Sequence, residues 1–195
     1  DSLQTLLEEA HAGRVWESTR HFADFLAFYF PTAHAQIDWS QPITFLEQEL
    51  REVVRDAELG KRFVDKLVRV TGRAGQQEWL YIHLEVQGSA QDEFARRMFV
   101  YNYRLFDKYR FPIASLGLLA DDRPHWRPAE FAYGALQSRT GIRFPVAKLL
   151  DWAGSEAKLE DSDNPFAVVT WAHLATRTTR NDLDARLQQK LKIVK

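Results

Sequence analysis

The 195-residue chain contains no cysteine, which removes disulfide scaffolds, thiol nucleophiles and cysteine-based zinc sites from consideration. With nothing pointing to an oxidising compartment, a cytoplasmic location is expected. Long hydrophobic runs are missing as well. The longest, near Ile113 to Ala120, is far short of the roughly 20 residues that a membrane-spanning helix needs, and the N-terminus has no signal-peptide core. A membrane is therefore not an expected partner. Nor is there an excess of charge of one sign: 26 Lys and Arg stand against 27 Asp and Glu, a formal net charge of -1. A pure nucleic-acid binder usually carries a global basic signature, so contact with DNA would have to rest on a local basic surface or on metal ions that offset phosphate charge. The G-x-x-x-x-G-K-[ST] loop, the G-x-S-x-G elbow and the H-E-x-x-H pair are absent too, which excludes the commonest nucleotide-binding, serine-hydrolase and zinc-protease arrangements.

What is present is an ordinary globular composition, 45% hydrophobic and 27% charged, enough for one domain with a sizeable core and a helical extension. Val15, Phe22, Phe25, Leu26 and Tyr29 recur at helical spacing up to Pro31. A second helix is expected over about Thr44 to Arg55, where Thr44 and Glu47 have capping-box spacing and Leu46, Leu50 and Val53 make an inward stripe. Arg62 to Val70 and Glu78 to Gln87 read as the strands of a β-hairpin around a glycine-bearing loop. Asp92 to Tyr109 is helical in pattern, and the apolar run after it has the length of a strand buried on both faces. Strand, helix, strand in that order implies a right-handed crossover and a mixed sheet. Beyond a turn-rich stretch from Asp121 to Pro128 the pattern turns helical again, with Asp163-Asn164-Pro165 opening one helix. A last helix carries Leu183, Leu187, Leu191 and Val194 on an open stripe, which implies packing onto the domain or a chain that continues.

Chemistry concentrates on the second hairpin strand. Alternation puts Leu80, Ile82, Leu84 and Val86 on one face and His83, Glu85 and Gln87 on the other. An unpaired acid and amide would cost several kcal/mol as plain core filling. Asp65 lies in the partner strand, where hairpin pairing brings it beside Glu85. Two such carboxylates suit a hard divalent cation of the Mg²⁺ type, which takes one or two carboxylates and leaves room for water and phosphate, the arrangement for hydrolysing a phosphodiester. Glu49, between Leu46, Leu50 and Val53, is a candidate third acid. Arg97, Tyr101, Arg104 and Lys108 fall at i, i+4, i+7 and i+11, a basic and aromatic helix face suited to a phosphate backbone. Each has a plainer reading beside the functional one: an ion pair of Asp65 with Lys61 or Arg62, a salt bridge for Glu49, a solvated face for the basic helix and a satisfied polar residue for His83.

The run Gly60-Lys61-Arg62-Phe63-Val64-Asp65-Lys66-Leu67-Val68, then His83-Leu84-Glu85-Val86-Gln87-Gly88, then Arg97-Met98-Phe99-Val100-Tyr101-Asn102-Tyr103-Arg104 resembles the Rpn family. These are recombination-promoting nucleases, also labelled transposases, of the PD-(D/E)XK superfamily. The likeness extends to Ile37-Asp38-Trp39, Leu119-Ala120-Asp121-Asp122 and Asp163-Asn164-Pro165-Phe166. It implies a restriction-endonuclease-like α/β core, with a small mixed central sheet flanked by helices, and N- and C-terminal helical extensions. It further implies Mg²⁺-dependent DNA cleavage, with Mn²⁺ as a substitute, in bacterial recombination or mobile-element biology. Asp65 matches the motif aspartate and Glu85 the acid of the E-x-K element. Gln87 stands where the superfamily usually has lysine, and a neutral amide supplies hydrogen bonds but no charge.

The expectation is thus a nuclease core over residues 1–125, centred on Thr44 to Asp121, followed by a helical extension over 126–195. Asp65 and Glu85 would hold the metal, with Gln87 orienting water or phosphate and Glu49 assisting. DNA would lie along Arg97, Tyr101, Arg104 and Lys108, and a second copy of the chain is a candidate partner. The rivals are a degenerate nuclease fold that binds nucleic acid without cutting, and a protein-interaction module built on the C-terminal helices.

Overall fold

The computed structural model of the chain describes residues 19–46, 50, 64–73 and 79–178, with the side chains at 64, 65, 79, 80, 85, 177 and 178 outside that description. The protein is α/β, with a mixed five-stranded sheet and flanking helices. The chain divides into two compact units, one of residues 32–148 and one of residues 1–31 with 149–195. No helix among the described residues is long and apolar enough to cross a membrane.

The first unit holds the sheet. Its strands are β1 (Thr44–Phe45), β2 (Val64–Thr71), β3 (Trp79–Gln87), β4 (Ile113–Leu119) and β7 (Val146–Lys148), in spatial order β1-β2-β3-β4-β7. β2 and β3 are the antiparallel hairpin that their β-branched and aromatic content predicts. A helix, Phe94–Tyr109, then carries the chain over one face so that β4 pairs parallel to β3, the geometry a strand-helix-strand unit requires. β4 lies between two strands and is buried from Ser115 to Leu119, as its continuous apolar run anticipates. Leu67, Tyr81, Leu105 and Leu50 form a hydrophobic cluster between sheet and helix.

Two expectations are corrected here. Thr44 and Phe45 do not begin a helix: they pair antiparallel with Arg69 and Val68, and the Thr44 hydroxyl accepts a hydrogen bond from the Arg69 guanidinium at 3.1 Å. That cross-strand partner, invisible to local spacing, overrides the capping-box pattern. The stretch after Pro128 is likewise not helical at first. It forms a second, two-stranded sheet, β5 (Glu130–Ala135) with β6 (Ser138–Arg143), before β7 returns to the main sheet. The connection is Leu136-Gln137, with φ of 48° and 69°. A two-residue turn with both φ values positive normally advertises itself by Asn-Gly or Asp-Gly; here the signal is missing.

The second unit contains α1 (Thr19–Tyr29) and, from the C-terminal part, a 3₁₀ turn (Leu149–Trp152) and two further helices, Glu156–Glu160 and Pro165–Thr178. The sequence places the start of the last helix correctly. The Asn164 side-chain oxygen accepts the Phe166 N–H at 2.9 Å and Pro165 occupies the first turn, where its missing N–H costs nothing. Phe28 stacks on Trp152, and Tyr29 shares a 2.7 Å hydrogen bond with Thr170. Numbered in chain order, the helices are α1, α2 (Pro31–Ala35), α3 (Phe94–Tyr109), α4 (Glu156–Glu160) and α5 (Pro165–Thr178). Pro31 ends the first run as expected and itself opens α2. The Leu183 to Val194 stripe lies outside the described residues.

Candidate active site

Register, the property a hairpin fixes most firmly, places Asp65 directly opposite Glu85, and Leu67 opposite His83. Across the other edge of β3, Glu85 pairs with Gly117, which pairs with Val146. One row therefore runs Asp65, Glu85, Gly117, Val146. The next row toward the C-terminal ends of the parallel strands is Gln87, Leu119, Lys148. Directly opposed positions on antiparallel strands have Cβ atoms about 5 Å apart, within the span of a single cation. Glu49 lies outside the described residues, as do Glu47 and Glu52.

α3 covers the face of the sheet that carries these rows. Its first turn sits over the row of Glu85: a methyl group built on Gly117 would meet the Phe94 ring at 3.0 Å and Val146 Cγ1 at 3.2 Å. Glycine in a buried strand marks such a close approach. Further along, the Tyr101 ring meets the His83 imidazole edge-on at 5.5 Å. Asn102 donates to the Ile113 carbonyl at 2.9 Å and to the Ser115 hydroxyl at 3.1 Å. The polar face of β3 is thus covered by a helix, and both His83 and Gln87 are fully buried.

Gln87 is held at both ends of its amide. Its Oε1 accepts from Arg97 Nη2 at 2.7 Å and its Nε2 donates to the Ser89 carbonyl at 2.5 Å. Arg97 Nη1 donates to Gln91 Oε1 at 2.9 Å, and the guanidinium carbon lies 5.8 Å from the Phe94 ring centroid. Because a guanidinium can only donate, the amide orientation of Gln87 follows from the contact. This corrects the expected helix face. Arg97 is 4% exposed and Tyr101 0%, whereas Arg104 is half-buried and Lys108 exposed. The four do not share a solvent surface, because α3 turns its Arg97 and Tyr101 edge onto the sheet.

One buried pair escapes sequence reasoning, and His83 departs from the satisfied polar residue expected of it. Lys148 and Asp121 form a fully buried ion pair at 2.5 Å, and Lys148 also donates to the Trp126 carbonyl at 3.3 Å. Asp121 in addition accepts the Arg123 N–H at 2.8 Å. With the partners 27 positions apart in the chain, no local spacing announces the pair. Neither nitrogen of His83 has a hydrogen-bond partner among the described residues, and burial pushes its pKa down from 6.5 to about 4, so the imidazole is neutral at physiological pH. That makes it part of the packing beneath Tyr101.

Among the described residues no three His, Cys, Asp or Glu side chains cluster as a metal site; the side chains of Asp65 and Glu85 are not part of that set. The opposed positions of these two acids fit a cation that takes one or two carboxylates. Comparison with family models, with curated proteins and with solved structures yields no significant match.

Proposed function

We propose that the protein is a Mg²⁺-dependent DNA endonuclease with a restriction-endonuclease-like core, of the kind the Rpn resemblance implies. The observation that carries this reading is the register of β2 and β3, which sets Asp65 against Glu85 with Gln87 two residues on. The hairpin, the α3 crossover and the parallel β4 supply the surrounding architecture that such a site uses. Asp65 and Glu85 would hold the metal, and a metal held there would supply an activated water and charge neutralisation at the phosphate. Gln87 and Arg97 keep the first turn of α3 fixed against the end of β3, so that the covered side of the site is rigid. Arg104 and Lys108 remain as candidates for contact with the DNA backbone.

Titration of Mn²⁺ into the wild-type protein, Asp65→Ala and Glu85→Ala, together with Mn²⁺-dependent cleavage of an end-labelled duplex, tests the assignment. Both variants should lose metal affinity and cleavage together. Unchanged metal binding and cleavage in both would remove the site. A second reading, a nuclease fold that binds nucleic acid without cutting, draws on the neutral amide of Gln87, whose two ends are already engaged. Salt-dependent DNA binding without metal-dependent cleavage would select it. A protein-interaction module would instead form a stable dimer with no affinity for DNA.

A further inference from the structure

Gln87 reads from the sequence as a site that has lost its positive charge, yet a cation stands in hydrogen-bond contact with it. Arg97 reaches Gln87 from the first turn of α3, 4% exposed, with its guanidinium anchored on two amide oxygens, Gln87 Oε1 at 2.7 Å and Gln91 Oε1 at 2.9 Å. A guanidinium stays protonated even when buried. The Phe94 ring beneath it fills the space over Gly117, the register neighbour of Glu85. On β3, Gln87 lies about 7 Å beyond Glu85 at the usual rise per residue. In so enclosed a place a fixed charge acts on its surroundings far more strongly than at an exposed position.

We propose that Arg97 supplies the fixed positive charge of the Asp65–Glu85 site and that Gln87 is the neutral clamp that positions it. The inference rests on the nuclease reading for what the charge does, and on the hydrogen bonds alone for where it sits. Position 87 must then offer an acceptor to a donor-only group. Glutamine does so and leaves the charge intact. Glutamate would also accept, but would cancel the charge. Lysine would set a second donor-only cation against the first and remove the Oε1 that accepts from Arg97, so like-charge repulsion and the lost acceptor both oppose it. A lysine at 87 is therefore excluded by Arg97, and the two positions together carry one charge. Arg97 and Gln87 are positioning residues in this account.

The test compares wild type, Gln87→Glu, Gln87→Lys and the charge-swapped double variant Gln87→Lys with Arg97→Gln. Tm and the Mn²⁺-dependent cleavage rate at saturating DNA are measured for each, well below the lowest Tm. Gln87→Glu gains an ion pair with Arg97 but loses the donor to the Ser89 carbonyl, so Tm should stay near that of wild type while the cleavage rate falls about 100-fold, the scale of losing one preorganised electrostatic contact; a merely structural clamp would leave the rate where it was. Gln87→Lys should lower both, and the swap should recover Tm and at least about tenfold of the lost rate. Gln87→Glu cutting within about twofold of wild type would overturn the role assigned to the charge. Gln87→Lys as stable and as active as wild type would overturn the exclusion. A wild type inert with both Mg²⁺ and Mn²⁺ would retire the nuclease reading and the part assigned to the charge in it. The Tm pattern would then decide the charge allocation alone, with rescue by the swap supporting it and no rescue refuting it.

Discussion

Acid should weaken this fold through His83. The ring is fully buried, neither nitrogen has a hydrogen-bond partner among the described residues, and burial pushes its pKa down from 6.5 to about 4. Between those two values the unfolded chain binds a proton that the folded protein does not, so stability is complete above pH 6.5 and is lost as pH falls toward about 4. One pKa unit corresponds to about 1.4 kcal/mol, which caps the loss at about 3 kcal/mol, with about 2 kcal/mol of it reached by roughly pH 5. For a chain of this size that is a fall in Tm of about 4 to 8 °C. Other groups titrate in the same range, so the measurement is a difference: Tm at roughly pH 7.5 and roughly pH 5 for wild type and for His83→Leu. The variant keeps the volume and removes the proton site, so it should be less acid-sensitive by about 2 kcal/mol. Near neutral pH it should lose nothing, because replacing an unmet polar ring by an apolar side chain restores no penalty. Equal acid sensitivity in the two proteins would refute the assignment.

Two other perturbations bear on the walls of the site. Gly117→Ala places a methyl group 3.0 Å from the Phe94 ring and 3.2 Å from Val146 Cγ1; it should cost about 1 to 3 kcal/mol by urea denaturation and reduce cleavage, because the first turn of α3 must move off the row of Glu85. A neutral result in both assays would mean that α3 is not closely seated there. Lys148→Met leaves Asp121 charged and buried without its partner and should cost about 3 to 5 kcal/mol, whereas Lys148→Met with Asp121→Leu should recover most of that loss; denaturation midpoints of the two variants provide the check.

Legibility from sequence follows the range of the interaction that decides each element. The β2–β3 hairpin, the α3 crossover and the buried β4 are written in local periodicity, and the start of α5 in the Asn164-Pro165 cap. Hairpin geometry then makes the opposition of Asp65 and Glu85 a consequence of pairing. Elements that depend on distant partners are not written locally. Thr44 has the spacing of a helix cap and becomes a strand residue because Arg69 lies across from it. The β5–β6 hairpin turns through Leu136-Gln137, residues that do not advertise positive φ. Lys148 and Asp121 meet only once β7 has joined β4. Arg97 is the instructive case: basic residues repeating along a helix look like a solvent face, yet this one is turned onto the sheet, where glutamine oxygens on β3 and just before α3 accept from it. Gly117 is the one signal in the sequence of that closeness, an isolated glycine within an apolar strand.

The most direct test of the central claim is cleavage of supercoiled plasmid by the purified protein with Mg²⁺ or Mn²⁺, run beside Glu85→Ala and an EDTA control. The Asp65–Glu85 account predicts nicking or linearisation that disappears in both controls. A folded wild-type protein that leaves the plasmid intact with either metal, or a Glu85→Ala protein that cuts as wild type does, would contradict it.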